Sequence, residues 1–276
     1  MTERVSHNLY RSLVISMFTI FSAFWLYTYF FTKEQSDAYT LFTNTYGVFA
    51  LIGGLFGIFA ARKWGGFKSY LGKAILMLSF GLLFQEIGQL FYMYYIYVAH
   101  IEVPYPSLGD VGFFGSVLFY IYASFLLSKV AGADFSLKEH LSSKVEAIII
   151  PLIILFLSYF FFLRGNTVEL SQPIKTVLDF GYPLFQSVYV SIALVTYRVL
   201  RFTQGGMIRK DILLLLVALF MQYLSDFTFL YKTSRGTWVA GGINDYMYLV
   251  SYCLMTLAIM RLDGFLNKAK AGKENA

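Results

Sequence analysis

The chain has 276 residues, a formal charge of +6 and a mean hydropathy of +0.61, with 58% apolar and only 14% charged residues. A soluble domain carries about 25% charged residues, so a water-facing surface of ordinary make-up is excluded and a bilayer is expected as the solvent. The basic residues flank apolar runs instead of forming one patch, which argues against nucleic acid as a partner, and the single Cys253 excludes a disulfide framework within the chain.

The apolar stretch from Ser12 to Phe31 follows Arg4 and Arg11. It is too long for the core of a cleavable signal peptide, and no small-x-small site follows it, so it is expected to stay as a first membrane helix. Hydropathy then predicts eight spans in all: Leu13–Phe31, Tyr39–Ala61, Ala74–Val98, Val111–Leu127, Ala147–Leu163, Phe180–Leu200, Ile212–Tyr231 and Tyr246–Met260. The expected fold is an all-α membrane protein of about eight transmembrane helices, arranged as four helical hairpins. Residues 1–262 form one domain and 263–276 a polar, basic cytoplasmic tail. The prolines Pro104, Pro106, Pro151, Pro173 and Pro183 fall in loops or near predicted helix starts, where they do least harm.

Charge sets the orientation. Arg4, Arg11, Arg62, Lys63, Lys68, Lys73, Lys129, Lys138, Lys144, Arg198, Arg201, Arg209, Lys210, Arg261, Lys268, Lys270 and Lys273, 17 of the 22 basic residues, fall on one side of the predicted spans. The other side has Lys33, Arg164, Lys175, Lys232 and Arg235. The richer side is expected to be cytoplasmic, with both termini there.

An aspartate precedes each even-numbered span: Asp37, Asp110, Asp179 and Asp245, spaced by 73, 69 and 66 residues. A basic residue follows each of these spans, at Arg62, Lys129, Arg198 and Arg261. Gln85-Glu86-Ile87-Gly88-Gln89 followed by Asp110 parallels Gln222-Tyr223-Leu224-Ser225-Asp226 followed by Asp245, so an internal repeat of hairpins is expected. Aspartate at these places is foremost a helix cap that complements the helix dipole.

Polar groups inside the spans carry the sharper signal, because they are costly in hydrocarbon. Glu86 with Gln85 and Gln89, Asp226 with Gln222 and Ser225, and Gln186 all fall in the outer half of the predicted spans. The expected ligand-binding set is Glu86, Gln89, Gln186, Gln222 and Asp226, lining an outward-facing polar cavity bounded by the third, sixth and seventh spans. The competing expectation is that these side chains tie helices together. Gln85 is the weakest member, facing lipid or a neighbouring helix. No catalytic residue, metal site or cofactor is expected: no span has a lysine for a Schiff base, and His7, His100 and His140 lie at ends or in loops. Gly53 and Gly57 form a G-x-x-x-G, a sign of tight helix packing within the fold or between protomers.

Gly81-Leu-Leu-Phe-Gln-Glu-Ile-Gly-Gln-Leu-Phe-Tyr92, then Val103-Pro-Tyr-Pro-Ser-Leu-Gly-Asp-Val-Gly-Phe113, resembles the prokaryotic multi-helix membrane regions that precede GGDEF and EAL domains or histidine kinases. Asp179-Phe-Gly-Tyr-Pro-Leu-Phe-Gln186, Leu224-Ser-Asp-Phe-Thr-Phe229 and Asn244-Asp245 are similar to the second half of such regions, so the likeness covers roughly residues 75–262. The family's Gly-Asp stands here as Gly88-Gln89, and about fifteen polar residues follow Arg261, so the chain is expected to act without an output domain of its own.

The resemblance implies a sensory or ligand-binding module in the inner (plasma) membrane of a prokaryote, surrounded by membrane lipids. It would bind an unknown small ligand and signal to a cytoplasmic protein through the loop Ala131–Glu146 or the basic tail. A small transporter or proton-coupled carrier, an intramembrane lipid-modifying enzyme and a structural subunit remain alternatives. An enzyme is the less favoured of these.

Overall fold

The structure is a computed structural model that describes residues 2–34, 36–101, 103–132, 141–164, 170–202 and 209–274. Among these residues the chain is helical apart from short connections, without strands: α1 (Thr2–Phe31), α2 (Asp37–Thr45), α3 (Val48–Lys63), α4 (Tyr70–Met93), α5 (Gly109–Val130), α6 (Leu141–Ser158), α7 (Pro173–Phe202), α8 (Arg209–Ser234) and α9 (Ile243–Glu274). Short π-helical turns, Tyr94–Val98 and Tyr159–Leu163, extend α4 and α6.

Seven segments are long and apolar enough to cross a membrane: Leu9–Phe31, Asp37–Lys63, Tyr70–Val98, Gly109–Val130, Pro173–Leu200, Arg209–Thr233 and Ile243–Asp263. A helix in lipid satisfies its own backbone, which is why every such segment adopts this form. The fifth expected span corresponds to a shorter apolar helix, Ile148–Phe162. The protein is therefore an all-helical chain of multi-pass membrane character.

Six helices close a ring in the order α3, α4, α5, α7, α8, α9 and back to α3. The remaining two long helices lie outside it. α1 leans on α9 and α2, and α6 leans on α7. Their outward faces are apolar, with Ile20, Phe30 and Phe31 exposed on α1 and Ile148, Leu152 and Phe156 exposed on α6, as lipid contact requires. The turn after α6 plugs into the ring by aromatic packing, with Phe162 4.8 Å and Phe161 5.6 Å from the ring centre of Phe227.

Small residues let the ring close. The closest approach is between α4 and α5, where a methyl group at Gly112 would collide with the backbone of Gly88 and the carbonyl of Phe84. Gly53 and Gly57 face Thr256 and Ser79, so the G-x-x-x-G serves packing of α3 on α9 and α4 within the fold.

Three expectations are corrected. The second span is not one helix: it breaks at Tyr46-Gly47, between α2 and α3. The sixth begins at Pro173, so Pro183 and Asp179 lie inside α7 and Asp179 is not its cap. Pro151 likewise lies inside α6. Through the polar stretch after Leu262, α9 continues as helix to Glu274. Half of the expected partner loop Ala131–Glu146, residues 133–140, lies outside the described residues.

Candidate functional site

The two ends of the ring are built differently. At one end, buried acids are paired with cations: Lys63 Nζ lies 2.9 Å from Asp263 Oδ1 and donates to Oδ2 at 3.1 Å, and Arg261 Nε donates to Asp211 Oδ1 at 2.7 Å. These pairs tie α3 to α9 and α9 to α8.

At the other end the acids accept from neutral donors. Asp110 accepts from the Ser107 backbone N–H at 2.8 Å and from the Tyr182 hydroxyl at 2.9 Å. Asp245 accepts from the Gly241 N–H at 2.7 Å and from the Thr43 hydroxyl at 3.0 Å. Both stand in the first turn of their helices and hold the preceding loop, a capping role extended to a neighbouring helix. Asp179 accepts from the Tyr105 hydroxyl at 2.7 Å. Burial and the Asp179 carboxylate push the Tyr105 hydroxyl well above its ordinary range, so it stays a proton donor. Trp25 Nε1 donates to the Gly241 carbonyl at 3.0 Å and stacks on Tyr246, with ring centres 4.3 Å apart, which fixes α1 at this end.

Between the two ends, within the ring, lies a polar centre. Asp226 on α8 is buried and accepts three hydrogen bonds: from the Tyr248 hydroxyl at 2.9 Å, from Gln222 Nε2 at 3.1 Å and from the Tyr189 hydroxyl at 3.3 Å. The Gln222 carbonyl accepts from the Ser251 hydroxyl at 3.0 Å. Gln222 and Asp226 thus share one helix face as their spacing implies, and the face points inward.

Gln89 belongs to a second cluster. Its amide donates to the Thr43 carbonyl at 3.0 Å, and its Oε1 is 3.5 Å from the Tyr46 hydroxyl. A continuous helix would give the Thr43 carbonyl to the Gly47 N–H. The Gln89 side chain therefore serves the backbone at the break between α2 and α3. Gln85, which was expected to be marginal, is buried: its amide donates to Ser116 at 2.8 Å and its carbonyl accepts from the Tyr252 hydroxyl at 3.1 Å.

Tyr46, Tyr248 and Tyr252 join the clusters. Their ring centres are 5.9–6.4 Å apart in every pairing. Their hydroxyls go to three different partners, Gln89, Asp226 and Gln85. Gln186 is buried on α7 one turn before Tyr189. Because α7 begins at Pro173, Gln186 lies about 20 Å along that helix, deeper than the sequence indicates.

Glu86 differs from the rest. It is half-buried, with Oε2 packed against Gly47, where the missing side chain leaves it room. That oxygen is buried and has no hydrogen-bond partner. The Tyr120 hydroxyl, on a fully buried side chain, also has none, nor has the buried Asn244 Oδ1.

Sequence reasoning missed the tyrosines and the serines. Ser116 and Ser251 each lie six residues after an aspartate, Asp110 and Asp245, which was a readable signal. Among the described residues no three His, Cys, Asp or Glu side chains are grouped to hold a metal ion. No protein-family model, no curated protein and no solved structure matches this chain.

Proposed function

We propose that this chain is a sensory or ligand-binding module of a prokaryotic inner membrane, which takes a small polar ligand from the outer side into the centre of the ring and signals to a separate cytoplasmic protein. The observation that carries this reading is the polar centre itself. Glutamines, tyrosines and the Asp226 carboxylate from helices around the ring meet inside a bundle whose core is largely apolar. Such groups are costly in a membrane and mark a functional place more often than a structural one.

In this account the chain crosses the bilayer eight times, with the end carrying the Lys63–Asp263 and Arg261–Asp211 pairs in the cytoplasm. The excess of basic residues on that side supports it. We also read the chain as two related halves of four spans each. Support comes from Gln85 with Ser116 beside Gln222 with Ser251, from Gln89 with Tyr46 beside Asp226 with Tyr189, and from Asp110 beside Asp245, each pair in a like setting.

The test is Asp226→Asn in the purified full chain, reconstituted in lipid nanodiscs. Asparagine keeps the size and one carbonyl acceptor but loses the charge. Ligands are screened by the rise in unfolding temperature of the wild type. The reading predicts a ligand whose effect saturates and is lost in Asp226→Asn, while the variant without ligand unfolds close to the wild-type temperature. A variant with lowered stability and undiminished ligand response makes Asp226 an interhelical tie, where membrane hydrogen bonds average about 0.6 kcal/mol.

A further inference from the structure

We infer that the basic end of the α4–α5 seam is a binding site for an anionic phospholipid, with the headgroup phosphate at Lys129 and an acyl chain along the exposed stripe of α5. The site lies apart from the polar centre and stands whether or not the centre binds a ligand.

Lys129, in the last turn of α5, is exposed. Its Nζ lies 4.6 Å from the centre of the Phe125 ring and 5.2 Å from that of Tyr70, the first residue of α4. Both rings are themselves exposed. Arg62, Arg164 and Arg235 each lie over one ring, three or four residues earlier in the chain. Among the described residues only Lys129 is held over two rings from two helices. Such contacts orient the ammonium but do not neutralise it, because a ring offers a quadrupole and no counter-charge.

The protein supplies no counter-charge either. The buried acids at this end, Asp211 and Asp263, are taken by Arg261 and Lys63. Among the described residues Lys129 has no acidic partner. Neither has Lys68, in the turn before α4, nor Lys73, one turn into it. These two lysines flank Tyr70 in the chain and add positive potential to the same rim. The missing counter-ion is therefore an anion from outside the chain.

Depth says which anion. Leu118, Tyr122, Phe125 and Lys129 are spaced four, three and four apart, so they share one face of α5. The first three are exposed. The stripe is about 16 Å long at about 1.5 Å per residue, close to the hydrocarbon depth of one leaflet, about 15 Å. Lys129 stands at the end of a helix long enough to cross a membrane, which puts its charge at headgroup level above a bare apolar track. An amphiphile satisfies both parts at once, its chain on the stripe and its phosphate at the lysine. A soluble anion or the acidic segment of a protein satisfies only one. Net charge then selects among lipids. Phosphatidylcholine keeps a cation beside its phosphate, which opposes the lysines, whereas phosphatidylglycerol brings the phosphate without one.

Native mass spectrometry of the full chain, released from neutral detergent micelles, resolves lipids bound one at a time and gives their apparent affinities. The probes are dioleoyl-phosphatidylglycerol and dioleoyl-phosphatidylcholine. The first phosphatidylglycerol should bind about fivefold or more tightly than the first phosphatidylcholine. Lys129→Met keeps the stem that packs on the rings and loses the charge, so it should remove about fivefold of that preference, while Lys129→Arg keeps it. Lys210→Met is the same loss of charge on α8, across the ring from α4, and should leave the preference within about twofold. Equal affinity of the two lipids for the wild type, an unchanged preference in Lys129→Met, or an equal loss in Lys210→Met overturns the inference. Displacement of the lipid by glycerol 1-phosphate, which has the phosphate and no chains, or by poly-glutamate also overturns it, since the lysines then serve a free phosphate or an acidic protein. Should Lys129→Met fail to fold, Lys129→Gln is read in its place.

Discussion

At the scale of single residues, the polar centre is a division of labour between groups that hold the bundle and groups left open. Gln89 is a holder. Its amide covers the Thr43 carbonyl exposed by the break after α2. Gln89→Leu should therefore destabilise the protein by about 1–3 kcal/mol, the cost of a buried acceptor left unmet, measured by reversible unfolding in mixed micelles. Gly47 marks the opposite case. Gly47→Ala should shift Glu86 from its place and lower ligand response more than stability, because the carboxylate forms no hydrogen bond through Oε2 that the fold depends on. The acids and glutamines were legible in the sequence because they stand out against an apolar run. The tyrosines were not. A tyrosine near a span end reads as an interfacial anchor, and only the structure shows Tyr46, Tyr189, Tyr248 and Tyr252 turning their hydroxyls inward.

At the scale of elements, the helices were legible and their ends less so. Hydropathy finds the apolar middle of α7, yet its first turns, from Pro173 to Asp179, are polar enough to look like a loop. They are helical because Pro173 takes the first helical position, where its missing N–H costs nothing. The break at Tyr46-Gly47 left no sequence mark either. One glycine among apolar residues reads as packing, and the Gln89 amide that makes the break tolerable lies 46 residues away from Thr43. Contacts between elements supply two further tests. Gly112→Ala should push α5 off α4, since the added methyl meets backbone and not a movable side chain, at a cost of about 1–3 kcal/mol in unfolding free energy. Arg261→Met should leave Asp211 without its cation. The arginine side chain is 39% exposed and the aspartate 9%, so the loss should fall between that of a surface pair and a buried one, about 2 kcal/mol, and should shrink at high salt.

At the scale of the whole molecule, the ring explains why polar residues from distant parts of the sequence meet. Closing α9 onto α3 brings Tyr252 to Gln85 across 167 residues, a distance over which no local pattern carries information. Membrane character was legible from composition alone, whereas the ring order and the outlying places of α1 and α6 were not, because apolar lipid-facing and apolar packed surfaces look alike in sequence. The proposed orientation has a direct check. In a Cys253→Ser background, single cysteines at Ser107 and Ser142 should label from opposite sides of the membrane; labelling of both from one side would refute the eight-crossing arrangement.

The claim on which the account turns is that the polar centre is a binding site and not a set of ties. The most direct measurement is a high-resolution electron cryomicroscopy map of the full chain extracted from its native membrane into nanodiscs. If the centre is a binding site, the map has density for a bound small molecule within the ring beside the Asp226 carboxylate, and that density is lost in Asp226→Asn. A map in which Asp226 meets only Tyr248, Gln222 and Tyr189, with no density between the helices beside it, would contradict the claim.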